Sequence, residues 1–426
     1  MIDGQNDRWN FRILLGQGVL LDVSQSLSSP KLVLPFLYIA LGAPILFAGL
    51  LIPVVQIARM IGQIASAPII ASAQICKWYL ALGILAAAAS LALIGLTVNS
   101  QSVHFLILIF LLVAAMIGMG QGLSRLAFQN MLGYIIPMHV RSKLLFAQTG
   151  LSGLLVIGIA WAIHRLYATQ EPSEGHLILL WVGIGVGMLA GILSMMVKEA
   201  PLANTKKIIS DRAITKLSFG REILSGIRTA IQVSWFRRFI WTRALFLSVE
   251  LATPFYAIHA AEPHVKKSGA LSSFVIATGL GLLVGGVLWN QCSRWPLRYI
   301  MSLAAILAAF AALAAIGIEQ WGQMEHVLFY AVVFFLISIA DQGISSTRKI
   351  YLANICSSEE RAYYIAISDT LIGGLGIAFA FLLGVVAHLQ HAIWPILILG
   401  GLNILAAFYA LRLQDPPAES RMVSEE

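Results

Sequence analysis

The chain has 426 residues, of which 59% are hydrophobic and only 11% charged, with a formal net charge of +8. A soluble domain carries about 25% charged residues, so this composition excludes a globular cytosolic enzyme and requires most of the surface to be solvated by lipid. The positive excess marks loop position and not a polyanionic partner, because the Lys and Arg residues sit at the ends of apolar runs and form no basic soluble domain for nucleic acid.

A bilayer-crossing helix needs roughly 17 to 25 apolar residues. Runs of that kind predict twelve spans, at 12–38, 45–70, 78–98, 104–126, 146–165, 176–197, 238–260, 270–291, 298–317, 326–348, 362–386 and 392–411. The polar start, 1–10, is followed by an apolar run too long for a signal peptide and lacking a small-residue cleavage site, so it is read as an uncleaved span. Span 1 places Asp22, Gln25, Ser26 and Ser29 at i, i+3, i+4 and i+7, one polar stripe on an otherwise apolar helix. Lys31, further along, is expected to snorkel toward the outer surface. Span 2 holds Arg59, a candidate partner for Asp22 on the neighbouring span. Span 4 carries Gln121, Arg125 and Gln129. Span 7 sets Arg243 and Glu250 two turns apart on one face, with Pro254 interrupting the backbone ladder nearby. Span 10 repeats the polar stripe with Ser338, Asp341, Ser345 and Arg348, and Gln342 follows the carboxylate. Asp369 lies near the inner end of span 11.

The basic residues lie overwhelmingly on one face, including Arg8, Arg12, Lys77, Arg141, Lys143, Arg294, Arg298, Arg348 and Arg361, whereas the opposite loops hold Arg165, Lys266 and Lys267. The positive-inside rule then makes both termini cytoplasmic. Cys76, Cys292 and Cys356 fall at cytoplasmic helix ends, a reducing compartment. One polar segment interrupts the spans six and six. The chain is therefore divided into a tail at 1–11, a first bundle at 12–197, a basic linker at 198–237, a second bundle at 238–412 and a tail at 413–426. In the linker, Leu217, Ile223, Leu224, Ile227 and Ile231 share a helical face, which fits an amphipathic helix on the anionic inner leaflet or a solvated linker helix.

The two halves repeat each other. Gly120-Gln-Gly-Leu-Ser124 in span 4 matches Asp341-Gln-Gly-Ile-Ser345 in span 10, and Arg141 then matches Arg361. Two six-span repeats of the same hand, joined by a cytoplasmic loop, predict an axis along the membrane normal. With this layout the chain resembles the major facilitator superfamily from about Phe11 to Leu413. The motifs are altered. Where the family carries Gly-x-x-x-Asp-Arg-x-Gly-Arg between spans 2 and 3, this chain has Ser66 and Ile70 at the glycine and aspartate positions. The second-half equivalent, beginning at Gly286, keeps the glycine and Arg294 but has Asn290 for the acid. Span 4 reads Gly118-Met-Gly-Gln121-Gly122 where the family often shows Arg-x-x-Gln-Gly, and span 5 lacks the Gly-Pro pair of proton-driven drug exporters.

The resemblance implies an all-α membrane protein of about twelve helices in two six-helix bundles, with spans 1, 4, 7 and 10 lining a central path. Those same spans hold most of the intramembrane charge, whereas spans 3, 5, 6, 9 and 12 have almost none in their cores. A carboxylate at mid-span costs several kcal/mol unless it is paired or faces water, about 2.5 to 3.5 on insertion scales. The implied function is secondary active transport of a small polar or cationic solute by alternating access, driven by protons, with no enzyme activity and no cofactor. Asp22, Gln25, Gln121, Glu250, Asp341 and Gln342 are the expected substrate or proton ligands. Arg59, Arg125, Arg243, Asn290, Arg294, Arg348 and Asp369 are the expected gate and charge-pairing residues. Glu250 and Asp341 either carry a proton or cationic substrate, or pair with Arg243, Arg59 or Arg348 and hold the halves in register. The expected setting is a monomer in a bacterial inner membrane, its partners being lipid, protons and a small-molecule or ion substrate.

Eight histidines, His104, His164, His176, His259, His264, His326, His388 and His391, project to the outer side. They read chiefly as interface residues, and no metal site is assigned to them. Transition-metal or metal-chelate transport stands as an alternative function, with His388 and His391 the pair at ligand spacing. The other alternative is a non-transporting sensor or scaffold that uses the basic linker. Glycines such as 183, 185 and 187 sit inside apolar spans and read as helix-packing contacts, not as a nucleotide loop.

Overall fold

The computed structural model describes residues 5–41, 45–97, 103–136, 138–166, 172–199, 228, 230–264, 267, 269–292, 295–355 and 358–413. The described residues form fourteen α-helices and no strand. In chain order they are α1 (Gln5–Leu27), α2 (Val33–Ala40), α3 (Ile45–Ser72), α4 (Lys77–Thr97), α5 (Val103–Ile135), α6 (Met138–Leu166) and α7 (Pro172–Met195). The second half continues with α8 (Ser234–Glu250), α9 (Ala252–His264), α10 (Ala270–Gln291), α11 (Leu297–Gln320), α12 (Val327–Ile355), α13 (Ser358–Leu389) and α14 (Ile393–Ala410). Among the described residues, ten stretches are long and apolar enough to cross a membrane. Helices satisfy their own backbone groups, which is why this architecture suits hydrocarbon. The linker residues 201–227, with the amphipathic face expected there, lie outside the described residues, as do Arg294 and Cys356.

The fourteen helices correspond to the twelve expected spans, because spans 1 and 7 are each broken in two. Proline has no N–H to bond the carbonyl four residues back, so Pro30 releases the ladder after α1. Its second piece is restarted by Ser29, whose Oγ accepts the backbone N–H groups of Lys31 at 3.2 Å and Leu32 at 3.3 Å. In span 7 the break falls at Leu251, and Pro254 sits in the first turn of α9, where a missing N–H is tolerated. The break in span 7 agrees with the proline read from the sequence. The break in span 1 falls inside a run expected to be continuous.

Packing within the halves is close where glycines meet backbone. A Cβ on Gly118 would lie 2.3 Å from the Val55 carbonyl oxygen, and one on Gly122 would lie 2.4 Å from that of Arg59. Gly118 and Gly122, one turn apart, thus form a small-residue seam that lets α5 lie against α3. In the second half, Trp289 fills the space over Gly343 and donates from Nε1 to the Ile339 carbonyl at 2.8 Å.

The halves meet chiefly where α6 packs on α10, α3 on α13 and α9 on α2. Gly153 of α6 faces Gly279 of α10, with 3.0 Å from a Gly153 Cβ to the Gly279 oxygen. At the end carrying the chain start, Asn10 exchanges two hydrogen bonds with the Lys198 backbone, at 2.8 and 2.9 Å. There the Glu199 carboxylate accepts the backbone N–H groups of Cys76 and Lys77 at 2.7 and 2.9 Å, capping the positive end of α4. We call this end proximal and the opposite one distal.

A bulky residue in the α3–α5 seam must push two backbones apart. Gly118→Val is expected to destabilise the purified protein by about 1 to 3 kcal/mol. Gly158→Ala, where a Cβ would meet nothing within 4 Å, is expected to be neutral or slightly stabilising by about 0.5 to 1 kcal/mol. Thermal unfolding in detergent, run side by side, separates the two.

Candidate functional site

A cavity of about 480 Å³ lies between the halves. It is lined from spans 1, 2, 4 and 5 on one side and spans 7, 8 and 10 on the other. Asp22, Gln25, Gln121, Asp341 and Gln342, all expected at the substrate site, reach it, and so does Arg59. The polar stripe of span 1 therefore faces the hollow, as does that of span 10 through Ser338, Asp341, Gln342 and Ser345. Repeat-equivalent Gln121 and Gln342 look into it from opposite halves. Most of the remaining polar lining is hydroxyl-bearing, with Thr149 and Ser152 from α6, Thr253 from α9 and Thr278 from α10. Thr253 and Pro30 bring both helix breaks to the cavity wall. A second hollow, about 40 Å³, lies within the first half between α1, α4, α5 and α7, and Gln25 and Gln121 border both.

One ion pair crosses the cavity. Lys31 Nζ, on the broken segment of span 1, lies 3.4 Å from Asp341 Oδ2 on α12. The lysine thus turns inward, contrary to the expectation that it snorkels outward, because the break redirects the chain before α2. The pair is 39% and 34% exposed, so water reaches both groups. Two side-chain acceptors at the wall, Gln56 Oε1 and Gln342 Oε1, are buried without a hydrogen-bond partner.

The other carboxylates are arranged differently. Glu250, the last residue of α8, accepts a hydrogen bond from Arg348 Nη1 of α12 and is absent from the cavity wall. Arg243 Nη1 donates to Asp369 Oδ1 at 2.9 Å and to Ser368 Oγ at 2.7 Å, locking α8 to α13. Arg59 stands within electrostatic reach of Arg125, Glu250, Asp369 and Arg348, which gathers the expected gate residues of both halves into one field. Asn290 is exposed near the end of α10.

The sequence reading missed Lys31, Gln56 and the hydroxyls of α6 and α10. Gln56 stands one turn before Arg59 in an apolar run, a signal available in the sequence. Thr149, Ser152 and Thr278 carried none, because single hydroxyls are common in membrane helices.

No family model matches the chain. An uncharacterized protein of Mycobacterium tuberculosis is 28% identical over 403 residues, covering 94% of this chain and 76% of its own length. Solved structures resemble the fold over nearly its full length. A variant of the nucleoside transporter NupG has a TM-score of 0.67 at 12% identity, covering 96% of this chain and 99% of its own. A POT family transporter in complex with 5-aminolevulinic acid has a TM-score of 0.66 at 14% identity, covering 92% and 94%. The xylose transporter XylE from E. coli, inward-open, has a TM-score of 0.65 at 16% identity, covering 97% of each chain. The fold is that of the major facilitator transporters, and the protein is a multi-pass membrane protein.

Removing one member of the Glu250–Arg348 pair leaves a mostly buried charge without its counter-ion. Glu250→Gln is expected to destabilise the protein by about 3 kcal/mol. The double variant Glu250→Gln/Arg348→Gln is expected to recover at least half of that loss. A double-mutant cycle on thermal unfolding tests it, and additive losses would remove the pair from the account.

Proposed function

We propose that the chain is a secondary transporter of a small, polar, hydrogen-bond-donating solute, working by alternating access. The observation that carries this reading is the cavity between the halves, lined by hydroxyls and amides and crossed by one water-reachable ion pair. Its volume, about 480 Å³, lies within the range of small-molecule sites. Gln25, Gln56, Gln121 and Gln342 line it with amides, and Asp22 and Asp341 add negative charge. Phe334 is the one aromatic ring in that wall, so polar contacts and not stacking select the ligand. Sugar, nucleoside and peptide transporters share the fold, which is compatible with such a solute.

Asp341 is the coupling residue in this reading. When it is ionised it holds Lys31 across the cavity. Protonation, or a cationic substrate, releases Lys31 and with it a tie between the halves. An exposed ion pair contributes about 0.2 to 1 kcal/mol, weak enough to open in each cycle. Glu250, held by Arg348, keeps α8 on α12 while the halves move, and Arg59, within electrostatic reach of Arg125, Glu250 and Asp369, belongs to the gate. The proximal end, rich in Lys and Arg, faces the cytoplasm of a bacterial cell, with the basic linker on the same side.

The purified chain is to be screened by thermal shift against sugars, nucleosides, amino acids and short peptides, and hits tested for uptake in proteoliposomes. Asp341→Asn is expected to retain exchange but lose accumulation against a gradient when a pH step is applied. Gln342→Ala is expected to weaken binding of the hit about tenfold, roughly one lost hydrogen bond. Unchanged pH-driven accumulation in Asp341→Asn overturns the coupling role. Uptake that survives both cavity variants but is lost on trimming 201–227 would favour a scaffold or sensor.

A further inference from the structure

We infer that His259, Glu319 and His391 form a binding site for a first-row divalent cation, zinc being the best match, on the distal face and apart from the transport cavity. Among the described residues, these three are the one group of His, Cys, Asp or Glu whose donor atoms all lie within 4.8 Å of one another. They come from three elements distant in sequence: His259 from α9, Glu319 from the last turns of α11, and His391 from the turn between α13 and α14.

Each donor is placed as a ligand requires. His259 is fully buried, and its Nε2 lies 2.9 Å from Glu319 Oε2. Its other ring nitrogen, Nδ1, lies 2.6 Å from Tyr330 Oη, which fixes the ring plane. Ligating histidines almost always have the second nitrogen held in this way. His391 packs edge-on against His259 with ring centroids 6.1 Å apart. Its Nδ1 is buried without a hydrogen-bond partner, while Nε2 is 3.8 Å from Glu262 Oε2. An orphaned imidazole nitrogen beside a His–Glu pair is a lone pair or N–H without a use in the metal-free protein.

Two imidazoles and a carboxylate, with water in the remaining position, are a zinc donor set. Bond lengths of about 2.0 to 2.2 Å put tetrahedral ligand atoms about 3.4 Å apart, so the three donors close on the ion by small side-chain rotations. Binding needs the lone pair of His259 Nε2. The neutral ring then carries its proton on Nδ1 and donates to Tyr330 Oη, so the tautomer exchanges and Tyr330 turns from donor to acceptor. A hard cation such as magnesium prefers oxygen ligands and is a poor match.

The ion would tie α9 to α11 and to the α13–α14 turn. Because α9 also packs on α2 of the first half, the site fastens the distal half of broken span 7 where the halves meet.

The test uses the full chain, purified in detergent and stripped with chelator, then titrated with zinc ions by calorimetry and assayed for retained metal. One zinc per chain is expected, with no competition from a tenfold excess of magnesium. Glu319→Gln and His391→Ala are expected to lower zinc affinity at least tenfold, and Tyr330→Phe, acting through His259, about tenfold. Glu319 and His391 are partly exposed, so these variants should fold. Unaltered elution and circular dichroism check this, and Tyr330→Phe supplies an independent third variant. Zinc affinity unchanged in Glu319→Gln and His391→Ala, or no zinc retained by the parent chain, overturns the site. Transport is not part of this readout, so its outcome is independent of the proposed substrate cavity.

Discussion

Hydrocarbon does not solvate charge, and that constraint organises the interior of this protein. Every ionised group in the middle of the bundle must find a counter-ion or water. The two solutions found here have different strengths. Glu250 with Arg348 and Arg243 with Asp369 pair within the second half, on side chains largely removed from solvent except at Asp369. Breaking such a pair strands a charge and is costly, so these contacts hold α8, α12 and α13 together. Lys31 with Asp341 pairs between the halves, on groups that water reaches. That interaction is weak, and weakness is what a contact needs if it forms and breaks in each transport cycle.

The helix breaks serve the same geometry. Continuous helices would hide all their backbone groups and leave only side chains to meet a solute. Pro30 and Pro254 free the carbonyls four residues earlier, those of Ser26 and Glu250, in equivalent spans of the two halves. Irregular backbone at membrane depth is tolerated where it lines a water-filled space. Pro30 and Thr253 do border the cavity. The break in span 1 turns Lys31 toward Asp341, and the break in span 7 separates α9 as a short distal piece that lies on α2.

The repeated motif in spans 4 and 10 puts close-packing glycines and a polar side chain at adjacent helix positions. Gly118 and Gly122 press α5 onto α3, and Gly343 receives the Trp289 ring. Gln121 and Gln342, each next to one of these glycines, point to the cavity. The distal cluster around His259 lies outside this scheme, joined by elements that meet only at the far end of the second half.

The class of protein, the spans and the faces of spans 1 and 10 were legible in the sequence, because composition and helical periodicity are local properties. A 59% hydrophobic chain has to be solvated by lipid. Residues at i, i+3, i+4 and i+7 share a face whatever surrounds the helix, so spacing gave spans 1 and 10 their polar faces, and the family resemblance implied that these spans line the central path, where Asp22, Gln25 and Asp341 border the cavity. Pairing was not legible, since it depends on which helices touch and how each is rotated. Spacing put Arg243 near Glu250 and left Arg243, Arg59 and Arg348 open as partners for Glu250 and Asp341; the fold gives Arg243 to Asp369 and Glu250 to Arg348. Lys31 needed the break after α1 to turn inward. His259, Glu319 and His391 stand 60 and 72 residues apart along the chain, and only the packing of three helix ends brings their nitrogens and oxygens within reach of one another.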